Sequence, residues 1–249
     1  MSATVPAVRL DRVSKAFGSF RVLQELSLEV PAGHCAAIVG RSGTGKSVTL
    51  KHIVGLIKPD SGRVFVEEEE VSRLETRDLA RARKRIGFLF QNAALFDSIT
   101  VGENVMFPLR RHTDLPEGEM RTRARTKLAQ VGLERDFDKM PAELSGGMRK
   151  RAGLARAMAL DPPILLVDEP SAGLDPITSD EIDRLLLSLK QEMGTTIVLV
   201  THHMMSARML GDELIFIDGG RVLARGTAEA LERSAHAMVR KFLETQGGG

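Results

Sequence analysis

The stretch Gly40-Arg41-Ser42-Gly43-Thr44-Gly45-Lys46-Ser47 fits the spacing G-x-x-x-x-G-K-[ST], and its surroundings give that spacing physical meaning. The apolar run Cys35-Ala36-Ala37-Ile38-Val39 ahead of it reads as a strand. Ser47 to Leu56 behind it reads as a helix, stopped by the turn Pro59-Asp60-Ser61-Gly62. In such a loop Gly40, Gly43 and Gly45 let successive N–H groups turn inward around phosphate oxygens, and the following helix presents its positive dipole end. Lys46 is expected on the β- and γ-phosphates and Ser47 on Mg2+, with Arg41, Ser42 and Thr44 completing the cradle.

Three further apolar runs end in polar residues suited to phosphate chemistry. Ile86 to Phe90 ends at Gln91, Ile164 to Val167 at Asp168 and Glu169, and Ile197 to Val200 at Thr201 and His202. In a parallel α/β sheet the ligand crevice lies at the carboxyl ends of the strands, so all of these termini should face one pocket. Asp168 is placed to hold the magnesium shell, and Glu169 to orient and polarise the attacking water as general base. The helix-like stretch Asp180 to Met193, stopped at Gly194, alternates with the strands as a parallel sheet requires. Val8 to Val13, Arg21 to Leu23 and Leu26 to Val30 read as an antiparallel flap, and residues from about 95 to 160 as an inserted helical subdomain. No repeat of solenoid period is visible.

Composition sets the outer limits. The chain has 249 residues, 43% hydrophobic and 27% charged, in the range of an ordinary globular domain. Its longest purely apolar runs fall far short of the ~20 residues a membrane-spanning helix needs. The start MSATVPAVRLDRV carries charges where a secretory peptide needs an apolar core, so a cytoplasmic location is expected. The single Cys35 excludes an internal disulfide, and its apolar setting predicts burial. A net charge of +2 gives no argument for nucleic acid. Arginines crowd in 77–85, 110–127 and 149–151; these read as solvated helix faces, or as contacts to anionic lipid head groups at a membrane surface. The acidic run Glu67 to Glu70 reads as an exposed turn rather than a metal site, and the tail Gln246 to Gly249 as disordered.

The discriminating segment is Leu144-Ser145-Gly146-Gly147-Met148, which opens the helical run Arg149 to Leu160. A serine and two glycines at a helix start offer a hydroxyl, bare N–H groups and the dipole end, all suited to a second phosphate; the plainer alternative is an N-cap by Ser145. The order of phosphate loop, Gln91, Leu-Ser-Gly-Gly, Asp168-Glu169 and terminal histidine resembles the ATP-binding cassette (ABC) family over essentially the whole chain. That resemblance implies an α/β P-loop cassette with a mostly parallel, RecA-like sheet, an antiparallel flap and a helical insert. One domain is expected over 1–249: a nucleotide-binding core at 1–91 and 161–230, a helical subdomain at 92–160, and a C-terminal helix and tail at 231–249. It further implies ATP and Mg2+ as ligands and a second copy packed head to tail, so that Ser145, Gly146 and Gly147 of one chain close on the γ-phosphate held by Lys46 of the other.

The remaining site residues are implied by position within that resemblance. Phe17 matches the aromatic that stacks on adenine; the family often has Tyr there, and this chain has neither Tyr nor Trp. Val22 and Val48 join the same nucleotide-binding set. Gln91 matches the glutamine that contacts Mg2+ or the attacking water, Asp175 makes a contact across the dimer besides being a natural N-cap ahead of Pro176, and His202 matches the switch histidine on the γ-phosphate. His34, His52, His112, His203 and His236 are left as ordinary. Met148 departs from the common glutamine, and together with 90–98 and 103–110 it looks like the MlaF branch, the ATPases of Mce-type phospholipid transporters. The partners so implied are a transmembrane permease (MlaE-like), an Mce-type substrate-binding protein and a small STAS-domain regulator, with the chain on the cytoplasmic face of the inner membrane. An apolar patch from Ala93 to Leu109 is the expected permease dock, shared with the subdomain's own core. The C-terminal Met238, Val239, Phe242 and Leu243 form an apolar face for the chain's own domain or a partner. A cassette for amino acids or lipoproteins is the alternative cargo; a non-transport ABC ATPase fits less well, since each motif occurs once.

Overall fold

The computed structural model describes residues 5–247. Along the chain come β1 (Val8–Phe17), β2 (Phe20–Val30), β3 (Cys35–Val39), α1 (Lys46–Ile53), β4 (Ser61–Val66), β5 (Glu69–Glu70), α2 (Thr76–Arg83) and β6 (Ile86–Leu89). The helices α3 (Val101–His112), α4 (Glu117–Gln130) and α5 (Gly146–Ala157) follow, then β7 (Ile164–Asp168), α6 (Pro176–Met193), β8 (Thr196–Val200) and α7 (Met204–Leu210). The chain continues through β9 (Glu213–Asp218), β10 (Arg221–Gly226), α8 (Ala228–Glu232) and α9 (Ala237–Gly247).

Two sheets organise these elements: a four-stranded sheet in the order β2-β1-β4-β5 and a six-stranded sheet in the order β10-β9-β3-β8-β7-β6. Within the larger sheet β3 runs parallel to β8 and β9, and β7 parallel to β8 and β6; β10 alone is antiparallel. The continuous apolar runs follow from burial of both sheet faces. Ala37, Leu165, Leu199 and Phe216 point into the core shared with α3, α5, α6, α7 and α9, whereas Ile38, Leu166, Val198 and Ile215 point into the core shared with α1 and the flap. A one-residue slip of any of these strands would exchange the two sets.

Several elements differ from their sequence expectation. The runs 21–23 and 26–30 are one strand, β2, whose pairing with β1 carries register shifts, and Arg12 and Glu25 take the extra backbone turn at φ 48° and 49°. Bulges of this kind break the two-residue period, which is why the strand reads as two. The expected disordered tail is helical to Gly247, and Gly248 and Gly249 lie outside the described residues. That helix packs on its own chain: Val239 and Leu243 are buried, and Phe242 meets Phe216 edge to face at 5.1 Å. In the run Glu67 to Glu70, Glu67 and Glu68 form the expected turn with Glu68 exposed, whereas Glu69 and Glu70 are the partly buried strand β5; Arg85 donates to both Glu67 and Glu69, and Arg73 pairs with Glu70. The structure adds the hairpin β9–β10, turned at Gly219-Gly220, and the short helices α2, α7 and α8. Cys35 is buried as expected.

Candidate functional site

The glycine loop leaves the carboxyl end of β3, in the middle of the larger sheet, and leads directly into α1. Gly45 precedes the first helical residue at φ 99°, and a Cβ there would lie 2.6 Å from Leu23 Cδ2 and 2.9 Å from the Val22 carbonyl oxygen. Only glycine meets both the dihedral and the close approach of β2. The loop thereby wraps the Lys46 side chain, whose Nζ donates to the carbonyls of Gly40 (2.9 Å) and Arg41 (2.8 Å). Burial pulls the Lys46 pKa down, while the carboxylates of Glu169 and Asp168 push it back up. Thr44 Oγ1 donates to the Arg41 carbonyl at 2.8 Å and closes the turn.

Two strands away, β7 ends in the paired carboxylates. Asp168 is the last residue of the strand, and its Oδ1 accepts from Ser47 Oγ at 2.8 Å. Burial raises the Asp168 pKa, and the Ser47 hydrogen bond opposes that shift. Glu169 leaves the strand at φ 48°, in the left-handed region that costs an ordinary residue ~1–3 kcal/mol. Contacts on every side hold it there. Its N–H donates to the Val200 carbonyl at 2.8 Å, and its Oε2 faces His202 Nδ1 at 2.8 Å and the His202 N–H at 3.3 Å. His202, at the end of β8, is thus oriented by Glu169 and still presents the rest of its ring outward.

These groups surround one cavity of about 540 Å³, lined by Phe17, Val22, Ser42, Gly43, Gly45, Lys46, Ser47, Val48, Gln91, Glu169 and His202. The size suits a nucleotide-sized ligand. Phe17, at the tip of the β1–β2 hairpin, is half exposed and lines the cavity. Thr201 is fully buried beneath His203 and does not reach the cavity.

Ser145, Gly146, Gly147 and Asp175 stand elsewhere, together. Ser145 caps α5 by accepting from the Met148 N–H at 3.2 Å, and Asp175 caps α6 by accepting from the N–H groups of Ile177 and Thr178. The two helix starts press on one another: a Cβ on Gly147 would lie 2.3 Å from Thr178 Cγ2. The chain therefore carries a nucleotide-sized cavity and, outside its lining, a pair of adjoining helix starts with Ser145, Gly146 and Asp175 exposed.

A family profile described as ABC transporter (ABC_tran) matches residues 23–172, more than half of the chain. The chain belongs to the ABC transporter ATP-binding family. This ABC ATPase is 40% identical over 228 residues to the "Intermembrane phospholipid transport system ATP-binding protein MlaF" of Haemophilus influenzae, covering 92% of the chain and 86% of the relative. It is equally identical, 40% over 237 residues and 95% of the chain, to the "Probable ribonucleotide transport ATP-binding protein mkl" of Mycobacterium tuberculosis, but spans only 66% of that protein's length. Among solved structures, the dimeric ATP-binding cassette MJ0796 bound to ADP and Pi in a post-hydrolysis state superposes with TM-score 0.83 at 36% identity, covering 88% of this chain and 98% of that one.

A second concavity of the ABC ATPase, about 330 Å³, lies beside the Gln91 loop and is lined by Phe88, Phe90, Phe96, Phe107 and Pro108 among others. Phe96 and Phe107 meet there at 4.7 Å and remain exposed, whereas Val101, Val105, Met106 and Leu109 of the same segment are buried. Asn104, fully buried, fixes this loop by accepting from the Phe96 N–H and donating to the Phe96 carbonyl. No helix among the described residues is long and apolar enough to cross a membrane.

One residue beside the first cavity belongs to no motif of the sequence. Lys150 on α5 is buried, and its Nζ donates to the carbonyls of Gln91 and Glu169. The available signal was a lysine sharing the helix face of Gly147 and Leu154, a face otherwise made of small and apolar residues.

Proposed function

We propose that this chain binds ATP with Mg2+ in the cavity over the glycine loop and hydrolyses it to ADP and phosphate as one of two identical cassettes powering a phospholipid transporter. The carrying observation is the convergence of Lys46, Ser47, Gln91, Glu169 and His202, from four different strand ends, on a single cavity.

In this reading Phe17 stacks on adenine beside Val22, and residues 40–48 hold the phosphates, with Lys46 supplying the cation at their far end. The donor set of Ser47 hydroxyl, Asp168 carboxylate and Gln91 amide is made of hard oxygens and fits Mg2+, which keeps few protein ligands. When bound, that ion neutralises charge on the β- and γ-phosphates. Glu169, held in place by Val200 and His202, accepts the proton of the attacking water, and His202 donates to the γ-phosphate. The separate surface formed by Ser145, Gly146, Gly147 and Asp175 serves the ATP of a second copy. The dimeric state of the MJ0796 cassette supports that pairing.

In this reading the aromatic groove beside Gln91 receives a helix of a transmembrane permease, the chain works on the cytoplasmic face of the inner membrane, and an Mce-type protein and a STAS-domain regulator are further members of the complex. The phospholipid cargo is favoured because the MlaF match extends over 86% of that relative, against 66% for mkl. A ribonucleotide or other small-solute cargo is the second reading, on the equal identity to mkl. The test is ATPase activity of the complex with its permease in vesicles. Stimulation by phospholipid with transfer of a labelled lipid is expected; stimulation by ribonucleotides instead would overturn the cargo. Mixing Lys46→Ala with Ser145→Arg chains should leave one competent site per mixed dimer, and failure to recover any activity would count against the composite site.

A further inference from the structure

Lys150 lies about 7.5 Å of helix rise along α5 from Ser145. It is a buried cation, 6% exposed, and its Nζ donates to the carbonyl of Gln91 and, at 3.1 Å, to the carbonyl of Glu169. An ammonium has three donors and no acceptor, so two carbonyls use most of its hydrogen-bonding capacity. Burial lowers its pKa, and the nearby carboxylates of Asp168 and Glu169 counter that effect. A charge removed from water at such cost is not there to fill space.

The same helix grips the Gln91 loop a second time. Arg156 donates from Nη2 to the Ala93 carbonyl at 2.7 Å and from Nη1 to the Ala94 carbonyl at 2.5 Å. Between the two cations, a Cβ added to Gly153 would lie 3.0 Å from Ala93 Cβ and 3.2 Å from Ala93 Cα, so the helix lies close against the loop at this glycine. Ala93 and Ala94 sit at φ 58° and 52°, a conformation that needs such external support. The 91–94 loop and α5 are therefore one mechanical unit, and Lys150 extends from that unit to the strained Glu169.

We infer that Lys150 is a positioning residue that couples the Ser145 end of α5 to Glu169 and Gln91, so that a phosphate engaged at the helix start adjusts the carboxylate working on the other nucleotide. The inference rests on the roles proposed above for Glu169 and for Ser145 to Gly147. A phosphate seated at the start of α5 pulls on the helix, the ammonium follows, and the Glu169 carbonyl follows the ammonium. The peptide N-terminal to Glu169 is fixed by Val200, so the displacement turns the Glu169 side chain against its contact with His202.

The experiment compares Lys150→Met, Lys150→Arg, Ser145→Ala and the double variant Lys150→Met/Ser145→Ala in the intact transport complex. It reads ATPase kcat and KM together with equilibrium binding of a fluorescent ATP analogue. Lys150→Met is expected to lower kcat about 10- to 100-fold, the scale of an ångström-sized misplacement, with the nucleotide Kd held within about twofold. Lys150→Arg should restore most of the turnover, and the double variant should be no slower than the slower single one, as for residues acting in one chain of contacts. A kcat for Lys150→Met within about twofold of the parent, or losses that multiply in the double variant, would overturn the inference. If Lys150→Met does not fold, Lys150→Gln replaces it under the same criteria. Glu169→Gln is measured alongside: if it keeps normal turnover, the underlying site assignment fails, whereas an inactive Glu169→Gln with an unimpaired Lys150→Met removes only the coupling role.

Discussion

Replacing Gly147 by alanine perturbs the contact between the starts of α5 and α6 without touching the nucleotide cavity. The new methyl group would lie 2.3 Å from Thr178 Cγ2, whereas carbon atoms in contact prefer ~3.5–4.0 Å, so the helix start must move by about 1.2 Å. Overpacking of this kind costs ~1–3 kcal/mol, and alanine returns ~1 kcal/mol through its better helix propensity, leaving a net loss of up to about 2 kcal/mol. For a domain of this size that is a fall in Tm of up to about 8 °C. Since Gly147 does not line the cavity, the chain's own ATP affinity should stay within about twofold, as expected for distant sites. Turnover should fall about 10- to 100-fold, because the displaced helix start is the surface proposed to meet the partner's phosphate. The clash is specific, and so is its remedy. Thr178→Ser removes Cγ2 but keeps the hydroxyl that donates to Asp175 Oδ2 at 2.6 Å. In thermal melts of the purified chain, Gly147→Ala/Thr178→Ser should be more stable than Gly147→Ala alone. If the two destabilisations simply add, the steric account is wrong.

Two other outcomes follow from the geometry. Phe17→Ala should weaken ATP binding about 5- to 150-fold, the ~1–3 kcal/mol of a base-on-aromatic stack, while leaving kcat at saturating ATP nearly unchanged; a Kd equal to the parent's, measured by titration calorimetry, would remove Phe17 from the site. Cys35 is fully buried, and burial pushes its thiol from 9.0 up to about 12, so it should resist aromatic disulfide reagents in the native protein and react at the rate of unfolding. The unfolded chain releases that proton first, so stability should decline as the pH rises from 9.0 toward 12, and a Cys35→Ala variant should lose this contribution to the pH dependence.

The glycine loop and the ends of β6, β7 and β8 are legible in the sequence for one physical reason. Strands buried on both faces appear as unbroken apolar runs, and a polar residue ending such a run marks the sheet edge where ligands bind. The caps at Ser145 and Asp175 are legible because their hydrogen bonds are local. What resisted reading depends on contacts between distant segments. The bulged β2 hides its continuity behind Gln24 and Glu25, and the hairpin β9–β10 is recognisable only once β9 is seen pairing with β3. The strained backbone of Glu169 and its bond to His202 span 33 positions of sequence, and Lys150 reaches its carbonyls across 59 and 19. The acidic run at Glu67 gave no hint that Arg85, at the foot of β6, would neutralise it.

In the proposed reading Glu169 is the base for ATP hydrolysis, working beside Lys46, Ser47 and His202 in one cavity. Glu169→Gln keeps the shape of the side chain and can still face His202, but cannot take a proton from water. In the transporter complex at saturating ATP, nucleotide binding should be undiminished and phosphate release at least ~100-fold slower than the parent's, the lower range for loss of a general base. A Glu169→Gln complex that releases phosphate at the parent rate would contradict that role of Glu169.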